Sequence, residues 1–242
     1  MRCMAMNVGL FGCGRIASFV HGPILSRLPD VKITVLVDDY PKNRAHLAQH
    51  ATAATHYSDW NTALEYGDMD AAVICLPPSL HAPVATAAFE RGLSVYVAKP
   101  LAPTLHEGRS IVRAYQSSGK TGMIGFNFRF HPKFEAVRKA IARNAYGNIV
   151  AVRTQFSSAM RILPGWKKQT GMGGDALFDL ATHHIDLVSY LTGEEWSEDS
   201  LQASFSGTDE GSAVMLTGTL DGGTLVDITA TQTTGANAHR VD

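Results

Sequence analysis

Apolar residues fall into two rhythms along this chain. Up to about residue 126 they recur as short unbroken runs: Asn7 through Phe11, Val31 through Val37, Asp70 through Leu76, Leu93 through Ala98 and Thr121 through Phe126. Each is shorter than a buried helix needs, and all but the last adjoin a glycine, proline or acidic residue, which predicts strands buried on both faces. Helical stretches separate them: one after Gly14, Pro41 to about His50, part of Tyr57 to Tyr66, Leu80 to Arg91 and Thr104 to Ser117. Gly92 and Gly119 close the last two, as glycine commonly does at a helix C-terminus. Strand and helix in regular alternation predict a doubly wound parallel sheet with helices on both faces.

Beyond Gly147 the pattern changes. Ile149 to Phe156, Leu201 to Ser206, Ala213 to Leu220 and Thr224 to Thr231 read as strands, joined by turns such as Asp221-Gly222-Gly223 and by a long loop with one helix. An α+β domain on a mostly antiparallel open sheet is expected there, over 127–242, after a dinucleotide-binding domain over 1–126. The sequence stops at Val241-Asp242 where a further strand is expected. The second domain is therefore expected to be incomplete at its C-terminus, or to have its open edge covered by a partner subunit.

The first predicted strand runs into Gly12-Cys13-Gly14-Arg15-Ile16-Ala17, which fits the dinucleotide fingerprint G-x-G-x-x-G/A. Gly12 permits the tight turn, Gly14 lets a pyrophosphate approach the backbone, and Ala17 lets the helix pack against the strand. The phosphates would meet the unpaired N–H groups at the helix N-terminus. The second strand ends in Asp38-Asp39, roughly two dozen residues on, where the fingerprint wants an acid for the adenosine ribose. Paired carboxylates repel a 2′-phosphate, so NAD is the expected cofactor; Lys42 and Arg44, close by, keep NADP as the alternative.

Composition narrows the class. The chain has 242 residues, 45% hydrophobic, with a formal net charge of −1, which argues against a general nucleic-acid or anionic-membrane partner, since either would need a basic face. No apolar run would span a bilayer, and the short segment before the first strand leaves no room for a signal peptide. Cys3, Cys13 and Cys75 are odd in number and widely spaced, as expected of reduced thiols in a cytoplasmic protein. Cys13 and Cys75 read as small buried thiols near the sheet's ligand crevice.

Two segments offer chemistry. Lys99 sits between a strand and Pro100, which holds the lysine extended at the C-terminal edge of the sheet, where such folds bind ligands. On a helix predicted from about Asp175 to Leu191, Asp179, His183, Asp186 and Tyr190 share one narrow stripe at about 100° per residue. The rest of that helix is largely apolar, so a polar stripe points to a cleft or a buried network. His183 is poised to exchange a proton near neutral pH, and Asp179 one turn earlier can orient it. His184 points elsewhere and reads as structural. These residues lack HExxH or Cys/His spacing, so no metal is expected. In the loop Arg161 to Met172, Trp166 could stack on a sugar ring and Lys167 reach an oxygen or phosphate; Asn127 falls at the crevice edge, with Arg129 beside it.

Together these pieces resemble the Gfo/Idh/MocA family of NAD(P)-dependent oxidoreductases. The resemblance rests on Gly9 through Ala17, Pro77-Pro78-Ser79-Leu80-His81, Ala98-Lys99-Pro100, Gly125 through Phe130, and Asp179-x-x-x-His183, in the family's order over almost the whole chain. It implies a Rossmann domain followed by an α/β domain with an open sheet. It also implies that Lys99, Asp179 and His183 face the nicotinamide and substrate. With the residue reading, cofactor contacts are expected from Gly12, Gly14, Arg15, Ile16, Asp38, Leu76, Pro77, His81, Lys99 and Asn127, catalysis by Lys99, Asp179 and His183, and substrate contacts from Lys99, Trp166, Lys167 and His183. The family's usual glutamate before the lysine is Ala98 here. The expected activity is hydride exchange between nicotinamide and a secondary alcohol or ketone of a sugar, polyol or related small molecule, in a homo-oligomer joined through the open sheet. The alternatives are a dinucleotide-binding protein without turnover, and a lyase or glycosidase that keeps its NAD tightly bound.

Overall fold

The computed structural model describes residues 5–159, 174–208, 211–234 and 237–242. The chain divides between Gly125 and Phe126 into two units, each with its own sheet.

In the first unit the strands are β1 (Met6–Phe11), β2 (Val31–Val37), β3 (Thr55–Tyr57), β4 (Ala71–Ile74), β5 (Ser94–Val97) and β6 (Gly122–Ile124). They form one parallel sheet in the order β3-β2-β1-β4-β5-β6. The order reverses at β1, so the C-terminal ends of β1 and β4 flank the switch point where such sheets bind ligands. Leu10, Phe11, Leu36 and Ile74 are fully buried in the sheet, which is why these strands read as continuous apolar runs rather than as alternation.

Helix α1 covers residues 15–25, with a π-helical stretch at Ala17–His21. The later helices are α2 (Pro41–Leu47), α3 (Trp60–Tyr66), α4 (His81–Glu90) and α5 (Leu105–Ser118). Asp59 caps α3 by accepting from the Thr62 N–H at 2.8 Å. Thr104 caps α5, accepting from the Glu107 N–H and donating its hydroxyl to the Glu107 carboxylate at 2.6 Å, a threonine–glutamate pairing that satisfies an otherwise orphaned donor of the first turn. Gly119 ends α5 at φ +64°.

The second unit opens with a 3-10 turn, Asn127–Phe130, and α6 (Pro132–Ala142). Its sheet is built from β7 (Ala151–Ala159), β8 (Gln202–Thr208), β9 (Gly211–Thr219), β10 (Leu225–Thr234) and β11 (Ala238–Val241), in the order β11-β7-β10-β9-β8. Only β7 and β10 pair in parallel; the other neighbours are antiparallel. Alternation gives this sheet two unlike faces. Val152, Val214, Leu216, Val226 and Ile228 are buried against α7, the helical run 176–192, through Leu180, Ala181 and Val188. Met215 and Leu225 stay exposed on the opposite face, where Arg153 meets Asp227 at 3.4 Å. The last strand, β11, runs antiparallel beside β7.

Candidate active site

At the end of β1 the chain turns at Gly12 with φ +90°. A Cβ there would stand 2.7 Å from the Cys75 carbonyl oxygen, so both conformation and space require glycine. At Gly14 a Cβ would meet nothing within 4 Å, and that open side lies at the start of α1, where Arg15 and Ile16 are exposed. Ala17 is wholly buried and lets α1 sit close on the sheet. The three small residues therefore occupy the positions that a bound pyrophosphate needs.

Asp38, directly after β2, is almost fully buried and its carboxylate is held from three sides. It accepts from the Cys13 N–H at 2.8 Å, the Tyr40 N–H at 2.9 Å and the Asn43 side-chain amide at 3.1 Å. A carboxylate has about four acceptor positions, so one is left for a ribose hydroxyl. Asp39 points into solvent. The Arg44 guanidinium, a candidate partner for a 2′-phosphate, folds back to donate to the Asp38 carbonyl. An open depression lined by Gly14, Arg15, Ser18, Phe19, Asn43 and His46 adjoins this corner. These residues fit NAD: a cradle free of Cβ atoms, helix N–H groups and one fixed acid.

Burial disfavours the thiolate form of both described cysteines. Burial pushes the Cys13 and Cys75 thiols up to about 12, Asp38 adding to the rise at Cys13 and Cys13 to that at Cys75.

Leu76 and Pro77 follow β4, and His81 opens α4 with only 1% of its surface exposed. Its Nδ1 lies 2.8 Å from the Pro100 carbonyl and its Nε2 2.8 Å from the Leu76 carbonyl. Both ring nitrogens are thus turned to the main chain, and His81 reaches a cofactor only through the two loops it joins. Burial pushes its pKa down, against the pull of those carbonyls. Lys99 follows β5, half-buried, with a cis peptide to Pro100. Ala98 continues the parallel ladder, donating its N–H to Ile74 at 2.9 Å.

In the second unit the polar stripe of α7 separates into two halves. Asp186 takes a bidentate ion pair from Arg129, with Nη2 at 2.6 Å and Nε at 2.9 Å, and Tyr190 lies under the guanidinium groups of Arg129 and Arg138. Those contacts tie the turn before α6, and α6 itself, to α7, which explains half of the stripe as structure. Arg129 is thereby a structural tie between the turn and α7. Asp179 and His183 form the other half, and both are half-buried. Asp179 lies in a π-helical stretch, Leu177–Ala181, a distortion that recurs at functional sites. The His183 ring packs on Phe128, with centroids 4.8 Å apart, and against Phe126 and Phe156.

The next residue, His184, has a different environment. It is wholly buried, stacked on Phe156 at 5.3 Å, with its Nε2 2.8 Å from the Nε2 of His239 on β11. Burial, then His239 and His183, push its pKa down to about 3. Spacing gave no hint of this pairing, because its members are 55 residues apart. Asn127 is exposed in the turn that opens the unit. Trp166 and Lys167 lie outside the described residues. Among the described residues, no group of three or more His, Cys, Asp or Glu could hold a metal, and no helix is long and apolar enough to cross a membrane.

Comparison with known proteins supplies context. Residues 6–126 match the model of an oxidoreductase family with an NAD-binding Rossmann fold, and residues 134–242 match a GFO/IDH/MocA C-terminal domain. The chain is 30% identical over 203 residues to a levoglucosan dehydrogenase of Pseudarthrobacter phenanthrenivorans, covering 78% of this chain and 52% of that protein. It is 30% identical over 198 residues to an inositol 2-dehydrogenase of Rhizobium meliloti, covering 79% and 56%. The chain therefore spans about half the length of these curated relatives. A solved levoglucosan dehydrogenase in complex with NADH and levoglucosan superposes with a TM-score of 0.85 at 26% identity, over 98% of this chain and 70% of that one.

Proposed function

The chain belongs to the Gfo/Idh/MocA oxidoreductase family, and from that premise we propose that it exchanges a hydride between NAD and a secondary alcohol or ketone of a sugar or polyol. The observation that carries this reading is the Asp38 carboxylate, fixed by three donors with one acceptor position left, beside a glycine turn that tolerates no Cβ. The substrate class follows the relatives, named for levoglucosan and inositol.

Gly12, Gly14, Arg15 and Ile16 hold the pyrophosphate and Asp38 the ribose. When bound, NAD supplies the hydride acceptor. His183 takes the hydroxyl proton as general base, a role that suits imidazole near neutral pH. Asp179 orients that ring. Lys99 contributes an ammonium suited to stabilising negative charge that develops on a substrate oxygen. Asn127, Trp166 and Lys167 complete the cofactor and substrate contacts. The exposed face of the second sheet, with Met215 and Leu225, is the self-association surface of a homo-oligomer.

A panel of polyols and anhydrosugars with NAD, followed by NADH absorbance, tests the activity. Lys99→Ala and His183→Ala should each retain NADH binding and lose turnover by about a hundredfold or more. Unchanged turnover in both would reject the roles. NADH binding without oxidation of any panel member would return the protein to a binding role.

A further inference from the structure

His81 belongs to no catalytic step proposed above, yet few polar side chains in the first unit are so completely buried. It stands at the first residue of α4, between the two loops that leave the adjacent strands β4 and β5. Neither carbonyl that it faces, Leu76 nor Pro100, belongs to a strand, and neither loop has the full parallel ladder to hold it. A side chain that bridges both loops therefore supplies what the sheet does not. We infer that His81 is a positioning residue: its buried ring, wedged between the Leu76 and Pro100 carbonyls and donating its N–H to one of them, fixes the loop that carries Lys99. This rests on the role proposed for Lys99.

The geometry restricts what could replace it. The two carbonyls stand 2.8 Å from opposite nitrogens of one rigid ring; carbonyl oxygens only accept, so the neutral ring donates its one N–H to one of them and packs against the other. Asparagine at the same position has a shorter reach and no ring to fill the space between the two loops, so it does not hold them as the imidazole does. Pro100 follows Lys99 directly, so a shift of its carbonyl is passed to the lysine through the backbone itself rather than through a flexible chain. A displacement of about 1 Å in a positioned group costs about a hundredfold in rate. His81 variants should therefore lower kcat while leaving substrate and cofactor binding nearly intact.

The experiment is a double-mutant cycle in the full chain, combining His81→Asn with Lys99→Met, with His81→Gln run in parallel in case the asparagine variant melts below assay temperature. The assay substrate is whichever panel polyol gives the fastest NADH formation. Expected is a loss of about tenfold to a hundredfold in kcat for His81→Asn. KM for the polyol and the NADH dissociation constant from fluorescence titration should each move by less than about threefold. In the Lys99→Met background the His81 substitution should then cost nothing more, because its effect acts through the missing amine. Full additivity, or a rise in KM at constant kcat, would overturn the positioning role. Lys99→Met with normal turnover would instead overturn the role of Lys99, a result visible before His81 is touched.

A second readout needs no turnover. After reductive ¹³C-methylation, the Lys99 resonance, identified by its loss in Lys99→Met, should move toward the position of a freely solvated lysine in His81→Asn. An unmoved resonance would overturn the inference.

Discussion

Replacing His184 with phenylalanine would keep an aromatic ring between Phe128 and Phe156 while removing the titratable nitrogens and the contact with His239. In the folded chain the His184 pKa is pushed from 6.5 down to about 3, first by burial and then by the neighbouring imidazoles of His239 and His183. The unfolded chain therefore takes up this proton first as pH falls. Stability due to the neutral ring is present above about pH 6.5 and drains away as pH drops through that value towards 3. One pKa unit corresponds to about 1.4 kcal/mol, so the full gap is worth about 5 kcal/mol, of which about 2 kcal/mol is lost between pH 7 and pH 5. Urea unfolding followed by circular dichroism across that range would measure it in both chains. The His239 pKa is also lowered, by burial and by His131, and contributes to the slope in the same direction in wild type and variant alike. The informative quantity is thus the difference between the two slopes. Wild type should lose about 2 kcal/mol more than His184→Phe on acidification. Parallel curves, within about 0.5 kcal/mol, would show that His184 is not held neutral and would refute the reasoning.

The two fingerprint glycines should respond differently to one added methyl. Gly12→Ala forces a Cβ into φ +90° at 2.7 Å from the Cys75 carbonyl, so thermal or urea melts should show a loss of more than about 1 kcal/mol. Gly14→Ala adds its methyl to open space, so its stability should stay within about 0.5 kcal/mol while NADH affinity, by fluorescence titration, falls at least about tenfold. Asp38→Asn keeps the shape of the side chain but removes the charge that three donors hold and that a bound ribose hydroxyl would share. NADH should bind about tenfold more weakly and the preference for NADH over NADPH should narrow, with both cofactors titrated in parallel.

The sequence made the first unit legible because its determinants are local. A parallel strand buried on both faces needs an unbroken apolar run, and a phosphate cradle needs glycines at fixed offsets from a strand end. Gly12, Gly14, Ala17 and Asp38 could thus be placed from spacing alone. The stripe on α7 was legible as a pattern but not in meaning. The same 100° periodicity that aligns Asp179 and His183 also aligns Asp186 and Tyr190, and only the position of Arg129 and Arg138 separates a candidate proton relay from an ion-paired clamp. The π-helical stretch at Leu177–Ala181 was invisible for a related reason, since it depends on which carbonyls the backbone finds rather than on side-chain type.

What escaped altogether is non-local. His81 looked like one more motif residue until its ring nitrogens were found facing the Leu76 and Pro100 carbonyls, the second of them 19 residues away. His184 and His239 are connected only because α7 packs on the sheet that β11 extends. Nothing in the composition of either segment calls for the other. The two histidines act in the same physical way, each as a buried polar ring that joins segments no backbone ladder connects. Burial removes the competition from water that would weaken such a link at the surface, and it raises the cost of breaking it, because a stranded polar atom would have no other partner. The contacts that hold a site in shape are therefore the ones a linear reading passes over, while Gly12, Gly14 and Asp38 announce themselves at strand ends and at the turn into a helix.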